Sequence, residues 1–350
     1  MFPLGLLPLF VGITLPFLAY SLTGANILAF KQGPSFLMAT AGMLGLAIWV
    51  ATIDRWLGVL AFWGVLWSVF TPSTYTFELA FLLLFGCILL LLTRMLQPLQ
   101  IEGAKHVIIL GGLIQVIIVW SQFWDYHWWW PFDSVGYIGM LGNPAYLATY
   151  LAIITPLAPW WLVPFFYLGL FLTQSVIGII AATFGIMWVS KHWRLWGLFS
   201  AFVLGIVLHL RTGWPVGVEA RWDIWMMSFR HTEGLQWLVG HGLGYWQFFV
   251  PLWQEQDHVW DEIGRFAQAH NEYIQLQFEL GLIGVFVVVM WLRDHLAKIL
   301  ASSFSGSVVA LATCALAMFG FHVTGIAALS YLILGLASAG EKNVATLRYC

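Results

Sequence analysis

The sequence predicts an all-α polytopic membrane protein with about twelve transmembrane helices and one large extracytoplasmic loop that contains short helices. Of its 350 residues, 61% are hydrophobic and 9% carry a charge, whereas a soluble domain has roughly 25% charged residues. The apolar residues come in long runs and do not alternate with polar residues as in the strands of a membrane β-barrel. We therefore expect helical spans and treat residues 1–350 as a single integral membrane domain.

The apolar runs divide into twelve predicted spans, because a helix needs about 20 apolar residues to cross a bilayer. Their approximate bounds are 3–20, 36–53, 57–71, 77–93, 106–123, 145–159, 161–173, 175–190, 195–210, 274–292, 303–320 and 322–338. Prolines and a polar break at 173–175 divide the long stretch 145–190 into three. The predicted span 161–173 is short, which leaves a half-helix or a strongly tilted helix. No basic residue precedes Lys31, so we expect no cleavable signal peptide and keep the first run as a span.

The basic residues predict the orientation, because short cytoplasmic loops are enriched in Lys and Arg. With the amino terminus inside, the predicted cytoplasmic loops and tail hold Arg55, Arg94, Lys105, Lys191, Arg194, Arg293, Lys298, Lys342 and Arg348. The short outer loops hold only Lys31. Merging 161–190 into one span would move the first three of these residues outside. We therefore expect both termini in the cytoplasm and the loop 211–273 on the extracytoplasmic side of a cytoplasmic membrane.

The stretch 211–284 concentrates the groups that are able to do chemistry. It holds nine of the chain's 16 acidic residues, together with four arginines and four histidines. One cluster within it, His258 with Asp257, Asp261 and Glu262, has no recognised metal-ligand spacing, and the three cysteines form neither a disulfide framework nor a zinc motif. We expect no metal site. The net charge of −2 and the lack of a basic tract predict no nucleic-acid partner.

Three pieces of this stretch carry a family resemblance. They are Arg221 followed by Trp225, the turn Gly240-His241-Gly242-Leu243-Gly244, and the run His270-Asn271-Glu272-Tyr273-Ile274 that continues to Glu279-Leu280-Gly281-Leu282-Ile283-Gly284. In this order and spacing, between two predicted spans, they resemble the O-antigen ligase and polymerase superfamily of bacterial envelope glycosyltransferases. The resemblance covers roughly residues 140–290. It implies a bacterial inner-membrane enzyme that transfers a glycan from an undecaprenyl-diphosphate carrier.

The acceptor stays open. The resemblance implies a hydroxyl of a lipid A core sugar (a ligase), of a growing glycan (a polymerase) or of a protein (an O-oligosaccharyltransferase). The reaction that the resemblance implies is an inverting-type transfer that needs no nucleotide. We expect neither a metal nor another cofactor, because arginines can stabilise the charge of the departing diphosphate. The expected partners are the lipid-linked donor, a glycolipid, glycan or protein acceptor, and membrane lipid.

Arg221 is predicted to hold the donor's diphosphate, because a planar guanidinium donates paired, charge-assisted hydrogen bonds to phosphate. The alternative is an interfacial arginine that touches lipid headgroups. We expect Arg221 on the first turn of a short amphipathic helix. The apolar face of that helix, which would lie on the membrane or the bundle, comprises Trp222, Trp225, Met226 and Phe229. Arg211, at the end of the ninth predicted span, is a second phosphate ligand or a snorkelling helix-end residue, and both interpretations stay open.

His270 is predicted to be the general base that activates the acceptor hydroxyl, or the donor of a proton to the departing diphosphate. Its ordinary pKa of about 6.5 suits either role. The alternative is a helix-start histidine with an ordinary hydrogen bond. Asn271 is expected to orient or cap. Glu279 is expected to anchor the helix that presents His270, since a carboxylate within a span usually faces a partner in the bundle. Gly281 and Gly284 would let a neighbouring helix come close.

The turn around Gly242 and Gly244 lacks the context of a nucleotide-binding loop. We expect it to bring His241 or backbone amides toward the substrate. Ser175 is assigned to substrate binding, because the polar break would lie at the outer face beside the loop. The family usually carries Ser-Arg-Gly there. This chain reads Ser175-Val176-Ile177-Gly178, so the arginine is missing.

Two function classes compete with the enzyme. A transporter or flippase would need paired ionisable residues deep in several spans. By sequence, only Glu78 at a span end and Glu279 qualify. A non-catalytic envelope assembly protein whose loop binds a partner is the third class. The run Trp128–Trp130 fits an aromatic belt at the outer interface, with stacking on a sugar ring as a minor alternative.

Overall fold

A computed structural model of the chain describes residues 34–70, 74–124, 138–210, 217–256, 268–318 and 320–339. Every regular element in these ranges is helical. The α-helices are α1 (Pro34–Ile53), α2 (Arg55–Phe70), α3 (Thr74–Arg94), α4 (Pro98–Phe123), α5 (Pro144–Ile154), α6 (Val163–Thr173), α7 (Val176–Val189), α8 (Trp193–Leu210), α9 (Gly217–Arg230), α10 (Gln236–Val239), α11 (Trp246–Gln256), α12 (Glu272–Ala301), α13 (Ser305–Ala315) and α14 (Thr324–Ser338). The all-α prediction is confirmed for these residues.

Two helices, α4 with 26 residues and α12 with 30, are long and apolar enough to cross a bilayer. Each predicted span from 36–53 onward overlaps one α-helix of the described ranges. The first predicted span, 3–20, and the run Trp128–Trp130 lie outside the described residues. Helical secondary structure therefore follows the apolar runs closely, and within the described ranges length and composition support a membrane crossing for α4 and α12.

The chain folds into two compact units, and each is discontinuous in sequence. The first comprises Met1–Thr93 and Pro215–His295. The second comprises Arg94–Trp214 and Leu296–Cys350. Most of the predicted loop 211–273 therefore belongs to the first unit, together with α1, α2 and most of α12.

The second unit is built around α5, whose residues Leu147, Leu151 and Ile154 are fully buried. Helices α7 and α13 cross at small residues. A Cβ atom added at Gly185 would overlap the carbonyl of Gly306, and one added at Gly306 would overlap the carbonyl of Gly185. Small residues let helix backbones approach closely in this way, which is typical of packing between apolar helices.

The break predicted at 173–175 separates two helices of the second unit. Helix α6 has 11 residues, which corresponds to about 16 Å, roughly half the hydrocarbon thickness of a bilayer. Gln174 ends it in the left-handed conformation, with φ at 53°. Ser175 then caps α7, because its hydroxyl oxygen accepts a hydrogen bond from the backbone N–H of Gly178 at 3.4 Å. Of the two sequence-based alternatives, the geometry favours the half-length helix.

In the first unit, the corner between α1 and α2 holds a buried ionisable pair. The Asp54 carboxylate caps α2 by accepting hydrogen bonds from the backbone N–H groups of Trp56 at 3.1 Å and Leu57 at 3.2 Å. Its other oxygen lies 3.7 Å from Nε2 of His295 on α12. Both side chains are more than 90% buried. Next to this pair, Asp294 accepts a hydrogen bond from the Trp56 indole at 2.8 Å and pairs with Arg55 at 3.5 Å.

Candidate functional site

Helix α9 carries Arg221 and Trp225. Arg221 is the fifth residue of the helix and therefore lies in its second turn. The sequence had predicted the first turn. The buried side of the helix is formed by Ala220, Ile224, Met227 and Ser228. Of the predicted apolar face, Trp225 packs inward, whereas Trp222 is 59% exposed. The predicted amphipathic helix exists, but its inward side is rotated from the expected one.

The segment that precedes α12 places His270 against α9. The Trp225 indole Nε1 donates a hydrogen bond to the Ala269 carbonyl at 2.7 Å. His270 then adopts the left-handed conformation, with φ at 52°, which is uncommon outside glycine and marks a constrained position. Asn271 caps α12, because its side-chain oxygen accepts hydrogen bonds from the backbone N–H groups of Tyr273 at 3.0 Å and Ile274 at 3.2 Å.

Arg221 and His270 share one electrostatic environment. Residues four apart lie on the same side of a helix, so the bond from Trp225 to Ala269 also brings Arg221 toward His270. Burial and, as the smaller cause, the positive charge of Arg221 together lower the pKa of His270 to about 4. Burial also lowers the pKa of Arg221, although a guanidinium stays charged in proteins. Nε of Arg221 and Nδ1 of His270 are both shielded from solvent.

Glu279 is connected to the His270 segment through Gln275, a residue that the sequence analysis passed over. Glu279 is 1% exposed, and its carboxylate accepts a hydrogen bond from Nε2 of Gln275 at 3.0 Å. The Gln275 side-chain oxygen accepts a hydrogen bond from the backbone N–H of Ala269 at 3.1 Å. Nε2 of Gln275 also donates to the side-chain oxygen of Gln268. The signal in the sequence was a glutamine one helical turn before a buried glutamate, within an apolar run.

Helix α12 is broken at Gly281, where φ is 67° and ψ is −171°. Only glycine adopts this conformation readily. The break leaves carbonyls without helical partners, and other groups bond to them. The backbone N–H of His241 donates to Phe278 at 2.8 Å, that of Gly242 donates to Glu279 at 2.9 Å, and the Trp63 indole donates to Leu280 at 3.2 Å.

These contacts correct two expectations, the continuous span and the role of the turn amides. The predicted span 274–292 is not one continuous helix. Gly281 does let a helix come close, and that helix is the short α10 of the loop: a Cβ at Gly281 would overlap the Leu238 carbonyl, and one at Gly240 would overlap the Glu279 carbonyl. The backbone amides of His241 and Gly242 donate to α12, so these two are not directed at a substrate. Gly244, also in this turn, is buried and has φ at 75°.

His241 lies inside the aromatic core of the loop and not toward a substrate. Its ring stacks on Phe278 with centroids 4.2 Å apart, and it is 7% exposed. Nε2 of His241 lies 3.2 Å from the hydroxyl oxygen of Thr232. The Thr232 hydroxyl donates its single proton to the backbone carbonyl of Ser228 at 2.7 Å. His241 therefore donates from Nε2 in its neutral form. The core around it comprises Ile224, Trp246, Val250, Ala269 and Phe278.

The two buried histidines predict that the protein loses stability in acid. Burial lowers the pKa of His241 to about 4, as it does for His270. The unfolded chain takes up these protons below about pH 6.5, whereas the folded chain resists protonation down to about pH 4. Stability should therefore fall as the pH falls from 6.5 toward 4. Thermal unfolding at several pH values should show a smaller fall for His241→Gln; an identical fall would contradict this assignment.

Ser175 caps α7 in the second unit. Arg211 and the cluster around His258 lie outside the described residues. Within the described ranges, no group of three His, Cys, Asp or Glu side chains is placed to hold a metal ion. Asp54 and His295 were not predicted from the sequence either, since neither residue carries a local sign of its distant partner.

Arg221 and His270 together offer a fixed positive charge beside a neutral imidazole. A guanidinium suits an anionic oxygen such as phosphate, and a neutral imidazole can accept a proton from a hydroxyl. The pair is held on one side by α9 and on the other by the cap of α12. No protein-family model, no curated protein and no solved structure matches this chain in the comparisons made with each.

Proposed function

We propose that this chain is a membrane glycosyltransferase that moves a glycan from an undecaprenyl-diphosphate carrier to an acceptor hydroxyl, in the manner of an O-antigen ligase. The observation that carries the proposal is the shared environment of Arg221 and His270, joined through the hydrogen bond from Trp225 to the Ala269 carbonyl. The proposal includes twelve membrane spans and a location in the bacterial inner membrane. It also places the loop 211–273 on the extracytoplasmic side and both termini in the cytoplasm. The reaction as proposed uses no metal.

In the proposed reaction, the donor's diphosphate contacts Arg221 while its prenyl chain stays in the bilayer. The acceptor oxygen attacks the anomeric carbon and loses its proton to His270. The bond from that carbon to the diphosphate oxygen breaks with inversion, and its electron pair leaves with the diphosphate. Arg221 stabilises the negative charge that develops on the leaving oxygen.

The low pKa of His270 fits this order of events. Before the donor binds, the imidazole is neutral at pH 7 and is ready to accept a proton, although it is a weak base at a pKa of about 4. A bound diphosphate would bring negative charge beside Arg221 and offset the field that disfavours protonation. We therefore expect donor binding to raise the pKa of His270 and to strengthen it as a base.

Arg221→Ala is expected to weaken the binding of undecaprenyl diphosphate by roughly 10- to 100-fold, because it removes charge-assisted hydrogen bonds worth about 1.5–3 kcal/mol. The purified full chain in lipid nanodiscs, titrated with undecaprenyl diphosphate, provides the measurement. Arg230→Ala is the matched control. Arg230 lies on the same helix but is exposed, with its Nε bonded to the Met226 carbonyl, so its loss should change the affinity by less than about twofold.

Equal losses in the two arginine variants would indicate attraction to anionic lipid in general and would contradict a diphosphate site at Arg221. Wild-type protein that binds undecaprenyl diphosphate but transfers no glycan to any of the three acceptor classes would contradict the reaction. The site geometry is common to the three acceptors. Ligase, polymerase and protein O-oligosaccharyltransferase are therefore separated by supplying each acceptor in turn.

The buried pair of Asp54 and His295 is the observation on which a second candidate function, a lipid or polysaccharide transporter, would rest. Transport needs ionisable groups within the bundle, and this pair adds to the few that the sequence identified. However, Asp54 caps a helix and His295 follows two charged residues, which is typical of a structural link between helix ends. Asp54→Asn should therefore lower thermal stability and leave glycan transfer intact. Loss of lipid movement with normal transfer would favour the transporter.

A further inference from the structure

We infer that Gln275 is the positioning residue for His270, and that it acts by fixing the Ala269 segment against α9. The inference rests on the proposed function for its catalytic meaning, but its geometric content stands without it. Gln275 lies in the first half of α12, one turn from the helix start and one turn before Glu279. Its side chain is fully buried, so water does not compete for its hydrogen bonds.

Gln275 and Trp225 hold both backbone polar groups of Ala269. The Gln275 oxygen accepts from the Ala269 N–H at 3.1 Å, and the Trp225 indole donates to the Ala269 carbonyl at 2.7 Å. Ala269 itself is 2% exposed. A residue held at its N–H and its carbonyl has little freedom to rotate, so the peptide that leads into His270 is fixed in place relative to α9.

The left-handed backbone of His270 needs such support. A non-glycine residue with positive φ persists where its surroundings determine its conformation. On its amino-terminal side, His270 follows the clamped Ala269. On its carboxyl-terminal side, Asn271 is fixed by its own cap on α12. The imidazole is therefore directed by two anchored neighbours, and the Trp225 bond ties that direction to the helix that carries Arg221.

Glutamine is suited to this position because it offers an acceptor and a donor at one end of the side chain. Its donor side is committed to Glu279 at 3.0 Å and to Gln268, so its oxygen must face Ala269. Glu279 thus acts on His270 through Gln275 and does not need to reach the reacting atoms. Gln275→Met keeps the length and apolar volume of the side chain and removes both hydrogen-bonding roles.

The test measures His270 directly, by its modification with diethyl pyrocarbonate in the purified full chain, read by mass spectrometry. The reagent attacks the neutral imidazole, so the rate reports both exposure and protonation. In the wild type the rate should be low and nearly constant between about pH 5 and 8, because the pKa of His270 is about 4. In Gln275→Met the rate at neutral pH should rise by about an order of magnitude as the segment opens locally. When the pH is lowered below about 6.5, the ordinary pKa of histidine, the modification rate of His270 in this variant should decrease.

Gln277→Met is the matched control, since it makes the same substitution on the same helix. Nε2 of Gln277 has no hydrogen-bond partner among the described residues, so His270 should react as in the wild type. Trp225→Phe provides a second variant that releases Ala269 from the other side and should reproduce the change. Unchanged His270 reactivity in both Gln275→Met and Trp225→Phe would overturn the inference, as would an equal change in Gln277→Met.

Kinetics separate this inference from the proposed function. With a lipid-linked glycan donor, Gln275→Met should lower kcat by roughly 10- to 100-fold and leave KM within about twofold, because a misplaced base affects the transition state and not donor binding. If the wild type transfers no glycan while His270 reactivity still responds to Gln275→Met, the enzyme proposal fails and the positioning role stands. If transfer occurs and His270 reactivity does not respond, the positioning role alone fails.

Discussion

His270→Ala should reduce glycan transfer by about 10²- to 10⁴-fold, the range that a positioned general base contributes. The reason is local: the imidazole beside Arg221 is neutral, shielded from solvent at Nδ1 and held in an uncommon backbone conformation. No described neighbour on the same turn offers an imidazole in its place. Single-turnover transfer from an undecaprenyl-diphosphate-linked glycan, with protein expressed at normal levels, measures the effect.

His106→Ala is the control for this experiment, because His106 is exposed on α4 in the other unit. It should leave transfer unchanged. Unchanged transfer in His270→Ala would remove His270 from the mechanism. Wild-type pH profiles add a second check: kcat/KM, which reports the free enzyme, should lose activity near the low pKa of about 4. The acid limb of kcat should lie at a higher pH, since the bound diphosphate raises that pKa.

Gly281→Ala should destabilise the protein by about 2–4 kcal/mol, the second large effect that we expect. Part of the loss is the strain of a side chain in a conformation that only glycine adopts readily, about 1–3 kcal/mol. The rest follows because the new Cβ would overlap the Leu238 carbonyl. The backbone would have to separate, and the bonds from the amides of His241 and Gly242 to α12 would lengthen or break. Thermal or denaturant unfolding of the purified protein measures the change.

Gly103→Ala is the matched control for this substitution. Gly103 lies within α4, and apart from its chain neighbours and the adjacent backbone of its own helix nothing lies within 4 Å of the position that its Cβ would take. Alanine there should be neutral or should stabilise the helix by up to about 1 kcal/mol. Gly240→Ala should behave like Gly281→Ala, and the double variant should cost less than the sum of the two, because both disrupt one contact. Additive losses would contradict a shared contact between the two glycines.

The positions of the helices could be predicted because each follows from a local run of apolar residues. The break between Thr173 and Val176 was also visible, since Gln174 and Ser175 interrupt a long apolar stretch. The break at Gly281 was not visible in the sequence. Its sequence surroundings are apolar and helical in pattern, and the cause of the break lies some forty residues earlier, in amides that replace the lost helical bonds.

The candidate site also has features that could be predicted from the sequence and features that could not. Arg221 and His270 could be chosen from residue type, because few groups elsewhere suit phosphate or proton transfer. Their proximity could not be derived, since it depends on one indole bonded to one carbonyl across 44 residues. Gln275 was passed over because its role appears only when the Ala269 N–H faces it. The orientation of α9 was predicted wrongly because apolar residues lie on both of its sides: Ile224 and Met227 are buried, whereas Trp222 and Met226 are exposed.

The backbone contact between Gly185 and Gly306 has a consequence for how the chain matures. Roughly 120 residues separate these glycines, and the whole carboxyl-terminal part of the first unit is synthesised between them. The second unit therefore cannot complete its fold early in translation, because α13 is synthesised after that part of the first unit. Until then, the small-residue side of α7 lacks the helix against which it packs in the folded unit. In a chain truncated before residue 305, the small-residue side of α7 would have no α13 to pack against.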